Sequence, residues 1–192
     1  MRLIVGISGA SGVEMGYRLL LALKAQPDCE LHLVLSEGAR ETWLLECSEP
    51  LERLFEAADY HYSDHELAAR IASGSFETDG MIVLPCSMKS LSAIAHGYAA
   101  GLLVRAVDVC LKEGRPVILC PREMPLGKVH LKNMLEAADL GCAILPPMLT
   151  FYNQARSLEQ QIDHLIGKIL MRFGLKHAPF RAWNGGENER LA

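Results

Sequence analysis

No Cys-x-x-Cys pair occurs in this chain, although it carries six cysteines, Cys29, Cys47, Cys86, Cys110, Cys120 and Cys142. Their spacing indicates neither a zinc site nor a disulfide framework. Several sit inside apolar runs, where a thiol behaves as a small hydrophobe. A long apolar run is also missing: none approaches the roughly 20 residues that a membrane-spanning helix needs. The chain enters a strand-like segment at once, with no basic stretch followed by an apolar segment and a cleavage site. These absences point to a cytoplasmic protein without a membrane partner. Neither sign of charge dominates, with 19 Lys and Arg against 23 Asp and Glu. The basic residues are scattered rather than striped, which argues against a nucleic-acid surface and makes any anion binding local. No repeat and no break in composition mark a second domain, and 192 residues bury a sizeable core without cross-links. One domain is expected over residues 1–183, followed by a polar tail over 184–192.

What the chain does have is a regular alternation. Apolar, strand-like runs recur at Leu3–Ile7, Leu31–Leu35, Met81–Leu84, Val117–Cys120 and Cys142–Leu145. Between them lie segments with helical spacing at Val13–Lys24, Gly38–Cys47, His65–Ser73, Lys89–His96, Leu102–Glu113 and Val129–Leu140. A last helix is expected over Ser157–Phe173, opened by a capping box of Ser157 and Gln160. This pattern predicts βαβ units and a mostly parallel sheet covered on both faces. Gly16 would let the first helix approach that sheet closely.

The chemistry-bearing residues fall where the strands end, which is where open α/β sheets bind ligands. The first strand runs into Gly6-Ile7-Ser8-Gly9-Ala10-Ser11-Gly12 and then a helix. Small residues admit a ligand close to the backbone, and the helix N-terminus supplies N–H groups and positive potential. Tight packing alone would also use such residues. The dinucleotide Gly-x-Gly-x-x-Gly pattern is not met, because Ser8 stands in the second glycine's place. The second strand finishes at Ser36, a hydroxyl suited to a flavin or a phosphate. Pro85-Cys86-Ser87-Met88-Lys89-Ser90 then gathers donors in one first helical turn, where a lysine is otherwise disfavoured. With no histidine near it in sequence, Cys86 reads as a structural thiol rather than a nucleophile. The run Val117-Ile118-Leu119-Cys120-Pro121 stops at Arg122 and Glu123. A guanidinium can grip an anion while a carboxyl group moves a proton. A salt bridge at a helix N-terminus would look the same, and the run alone does not decide. Arg105, Asp108 and Lys112, three and four apart, read by themselves as a solvated charged face.

Taken together, Gly9-Ala10-Ser11-Gly12, the run from Pro85 to Ser90, the run from Arg105 to Glu113, the run from Pro121 to Pro125, and Phe151-Tyr152 resemble the UbiX family in order and spacing, over about residues 1–175. The resemblance implies an α/β, Rossmann-like three-layer flavoprotein fold with a mostly parallel sheet. It implies a metal-independent flavin prenyltransferase that joins the dimethylallyl group of dimethylallyl phosphate to N5 and C6 of reduced FMN. The prenylated FMN would serve a UbiD-type aromatic acid decarboxylase, and the enzyme would assemble as a homo-oligomer, a dodecamer. By the same resemblance Gly9, Ala10, Ser11, Ser36, Ser87, Met88, Lys89, Ser90 and Arg122 bind FMN. Arg105, Lys112, Arg122, Tyr152 and Lys168 surround the prenyl phosphate, some of them from adjacent subunits, and Ser11, Glu46 and Glu123 are catalytic proton carriers.

Trp43, one turn before Glu46, is expected in the core. Two positions depart from the family pattern. Lys168 stands where arginine is usual, giving a compact charge instead of a planar fork, and Ser90 replaces threonine. The competing readings are a non-catalytic flavin-binding accessory subunit of an aromatic acid decarboxylase and an FMN-dependent cysteine-peptide decarboxylase of the same fold. The latter's Pro-x-Met-Asn motif is missing here, and a passive carrier needs no phosphate clamp beyond the flavin's own.

Overall fold

In chain order the computed structural model, which describes residues 1–183, runs β1 (Arg2–Ile7), α1 (Val13–Lys24), β2 (Glu30–Leu35), α2 (Glu37–Glu46), α3 (Leu51–Glu56), β3 (Tyr60–Ser63), β4 (Gly80–Cys86), α4 (Met88–Ala95), α5 (Leu102–Lys112), β5 (Val117–Pro121), α6 (Lys128–Asp139), β6 (Ala143–Ile144) and α7 (Leu158–Met171). The strands pair in the order β3-β2-β1-β4-β5-β6, every pair parallel. This is the doubly wound order, and the chain reverses direction across the sheet between β1 and β4.

The central strands are apolar on both faces because helices cover both. Leu3, Ile4, Val5 and Ile7 of β1 and Met81 through Leu84 of β4 are all buried. On one face Ile4, Val34, Met81, Val83 and Leu119 join Leu91 and Ile94 of α4, Leu103 and Val107 of α5, and Ala137 of α6. On the other, α1 buries Val13, Gly16, Leu19, Leu20 and Leu23, a helical spacing. Each such leucine contributes about 1.5–3 kcal/mol. A methyl group on Gly16 would lie 2.5 Å from the Leu84 carbonyl oxygen and 2.6 Å from Ile7 Cδ1, so the glycine sets the distance between helix and sheet.

Between β2 and β4 the structure departs from the sequence reading. His65–Ser73 is not an α-helix; it holds turns and one short 3-10 turn at Arg70–Ala72, and the preceding Tyr60–Ser63 forms an edge strand. Asp64 explains the difference. Its carbonyl accepts from the Leu102 N–H at 2.7 Å and its Oδ1 from the Leu103 N–H at 2.7 Å, so it satisfies the start of α5. Glu66 Oε1 accepts from the Ser63 N–H at 2.6 Å. These bonds hold the segment as a turn against its local helical preference.

A second compact unit begins at Pro147 and contains α7. Ser157 Oγ accepts from the Gln160 N–H at 3.3 Å, but Gln160 Oε1 returns to the Arg156 N–H at 2.7 Å, one residue earlier than a standard capping box. Along its apolar stripe Ile162, Leu165, Ile166, Ile169 and Leu170 are buried, while Leu158 is exposed. The expected tail, 184–192, lies outside the described residues. No described helix is long and apolar enough to cross a membrane.

Candidate active site

Main-chain bonds lace the carboxyl ends of four strands together. The Ser36 N–H donates to the Ile7 carbonyl at 3.1 Å, and the Ser8 N–H to the Pro85 carbonyl at 3.2 Å. The buried Ser8 hydroxyl donates to that same carbonyl at 3.0 Å and accepts from the Ser87 N–H at 2.7 Å. On the far side of β4, the Arg122 N–H donates to the Cys86 carbonyl at 3.1 Å. Ser8 thus has a structural task that the sequence did not reveal.

Above this lacing lies a cavity of about 350 Å³. Gly9, Ala10, Ser11, Ser36, Ser87, Met88, Lys89, Ser90, Arg122 and Glu123 all line it, so the residues expected at four strand ends do come together. Gly38 also lines it and was missed. A methyl group on Gly9 would lie 2.7 Å from the Gly38 carbonyl carbon, because the two loops meet backbone to backbone. A glycine two residues past the Ser36 cap is the signal that could have found it. Ser36 caps α2 by accepting from the Ala39 N–H at 3.2 Å, and Ser87 caps α4 by accepting from the Ser90 N–H at 3.2 Å. Two helix N-termini and the cations Lys89 and Arg122 therefore give the cavity positive potential. Small walls, hydroxyls and this potential fit a phosphate-bearing ligand such as FMN.

Glu123 points the same loop towards proton chemistry. Its Oε1 accepts from the Met124 N–H at 3.0 Å, and the side chain is exposed. Helix α6 begins only at Lys128, so Arg122 and Glu123 are not a salt bridge at a helix N-terminus. Among the described residues neither forms an ion pair. Glu46 does not itself line the cavity, but its Oε2 accepts from the N–H of Gly12, the residue after the lining Ser11, at 2.7 Å.

Other expected residues do not line this cavity. Arg105 donates to the Ala72 carbonyl at 3.1 Å and to Asp108 Oδ2 at 2.6 Å. Lys112 ends α5 and donates to Glu113. Tyr152 and Lys168 belong to the second unit, both exposed; Tyr152 Oη lies 3.3 Å from His164 Nε2. Burial pushes the Cys86 thiol up to about 12, so it is no nucleophile. Trp43 is buried, donating to the Glu49 carbonyl at 2.9 Å, and serves the core. No described cluster of three or more His, Cys, Asp or Glu side chains could hold a metal ion.

The sequence model of the Flavoprotein family matches residues 1–174. A probable UbiX-like flavin prenyltransferase from Sedimentibacter hydroxybenzoicus is 60% identical over 189 residues, 98% of this chain and 100% of that protein. Among solved structures, a dodecameric FMN-dependent UbiX-like decarboxylase from Escherichia coli O157:H7 is 48% identical with a TM-score of 0.94, covering 96% of this chain and 100% of its own. The complex of AnUbiX (PadA1) with FMN and dimethylallyl pyrophosphate is 42% identical, again with a TM-score of 0.94, covering 97% and 98%.

Proposed function

The chain belongs to the Flavoprotein family and, within it, to the UbiX-like flavin prenyltransferases, and from that premise we propose how its own residues divide the work. It is a prenyltransferase with FMN as its flavin and a dimethylallyl phosphoester as donor. The observation that carries the assignment is the single cavity at the strand ends, where small residues, two helix N-termini, two cations and one carboxylate converge. Residues 1–183 act as one functional domain.

Reduced FMN, when bound, supplies the N5 and C6 positions that accept the dimethylallyl group. Gly9, Ala10, Ser11, Ser36, Ser87, Met88, Lys89, Ser90 and Arg122 hold it. Departure of phosphate from an allylic carbon leaves a delocalised cation and a growing anion. The site must stabilise the anion without offering a nucleophile, a task for Arg122, Lys112, Lys168 and the Tyr152 hydroxyl, with Arg105 in support. Glu123 holds a proton for the leaving phosphate, its desolvation coming from the ligand or a neighbouring subunit. Ser11 and Glu46, joined through the Gly12 N–H, relay the proton released at ring closure.

A strand rises about 3.3 Å per residue, so β5 alone separates Lys112, just before it, from Arg122, just after it, by more than a lysine side chain spans. A Lys112 at the phosphate therefore comes from another copy of the chain, which accords with a homo-oligomer and, following the dodecameric relative, with twelve subunits. Leu45, Met124 and Phe151 are more than four-fifths exposed in the single chain, as an assembling protein requires. The product serves a UbiD-type decarboxylase. Six free thiols suit the reducing cytoplasm.

Anaerobic incubation of the enzyme with reduced FMN and dimethylallyl phosphate, or the diphosphate in a parallel arm, is the test. Mass analysis should find flavin enlarged by one five-carbon unit. Unmodified flavin in both arms, with both substrates shown to bind, would overturn the reading.

A further inference from the structure

His164 is a costly residue in its place on α7. It is 5% exposed, and its Nδ1 is buried without a hydrogen-bond partner among the described residues. An unmet buried polar atom costs about 1–3 kcal/mol, so stability alone would favour a leucine or phenylalanine here. The ring is held firmly, stacked on Phe180 at 5.0 Å and edge-on to Tyr152 at 5.4 Å between centroids. Among the described residues its one polar contact is Nε2 to Tyr152 Oη, 3.3 Å. Burial, and then the Lys168 ammonium one turn along the helix, lower its proton affinity, so the ring carries a single proton.

That proton has two possible seats. On Nδ1 it would be a buried N–H with no acceptor, and the tyrosine would have to spend its own proton on Nε2. On Nε2 it donates to Tyr152 Oη, and the unmet atom is an acceptor, which folded proteins tolerate better than an unmet N–H. We infer that His164 is a positioning residue for the prenyl-phosphate site: carrying its ring proton on Nε2, it donates to Tyr152 Oη and leaves the phenolic proton to be given to the phosphate. The inference rests on the reading of Tyr152 as a phosphate ligand.

The test compares wild type, Tyr152→Phe, His164→Phe, His164→Gln and the double Phe variant, all with saturating reduced FMN. Tyr152→Phe and His164→Phe should each lower kcat/KM for dimethylallyl phosphate by about tenfold, the value of one well-placed hydrogen bond, with FMN affinity unchanged. His164→Gln, whose amide nitrogen reaches the Nε2 position, should restore most of the loss, and the double variant should be no worse than Tyr152→Phe alone. Losses that multiply in the double variant, or no loss in His164→Phe while Tyr152→Phe is impaired, would overturn the role of His164 alone. Tyr152→Phe at the wild-type rate would instead remove the phosphate role of Tyr152, and this inference with it. Should His164→Phe not fold, nitrogen NMR of histidine-labelled wild-type enzyme, assigned with His164→Gln, decides: a proton on Nε2 supports the inference, and one on Nδ1 overturns it.

Discussion

Glu123 brings a carboxyl group into a cavity whose other charged side chains, Lys89 and Arg122, are cations. Glu123→Gln keeps the volume and removes the group that carries a proton. FMN titration should be unchanged, while prenylation, followed by flavin mass against time, should slow roughly a hundredfold. Equal rates would remove the acid role. Arg122 and Glu123 were visible in the sequence because an apolar run stops at them. Ser8 was not, since its partners Pro85 and Ser87 lie far along the chain and a serine in a turn has many uses. The positions of Tyr152 and Lys168 came from resemblance alone, because nothing local in their segments marks a phosphate.

Helix α5 begins under a side chain from a distant turn. Asp64→Ala removes the acceptor for the Leu103 N–H and should lower stability by about 1 kcal/mol, the usual value of a lost cap. The measurement is the urea midpoint, and because α5 does not line the cavity, FMN affinity should stay constant. Long amphipathic elements were readable: α1 was expected and found at Val13–Lys24, and α5 ends one residue before its expected limit. The polar edge strand β3 was hidden, because only one neighbour, β2, pairs with it and three of its four side chains are exposed. The helix expected at His65–Ser73 lost to bonds that tie Asp64, the residue before it, to α5, a long-range competition that local periodicity cannot register.

Over the whole sheet, the parallel order separates two ends with different chemistry. At the amino ends of β1 and β2, Arg2 Nε donates to Glu30 Oε1 at 2.8 Å, and His32 Nε2 lies 2.8 Å from the same oxygen. The Arg2 hydrogen bond, and then His32, hold the Glu30 carboxyl down at about 2 from its ordinary 4.5. A lowered carboxylate stabilises the fold above its unfolded value and loses that contribution as pH falls through its folded one. The stability gap between wild type and Glu30→Gln in urea should therefore be full above pH 4.5 and close as pH drops towards 2. At the opposite end of the sheet the frame is held by main-chain hydrogen bonds instead of ion pairs. Its lacing uses main-chain atoms and one buried serine, and so does not depend on which side chains stand at positions 11, 88, 89 or 123. Over evolutionary time such a frame is a chassis: descendants can exchange the side chains at those four positions, one at a time, and inherit the backbone shape of the binding site.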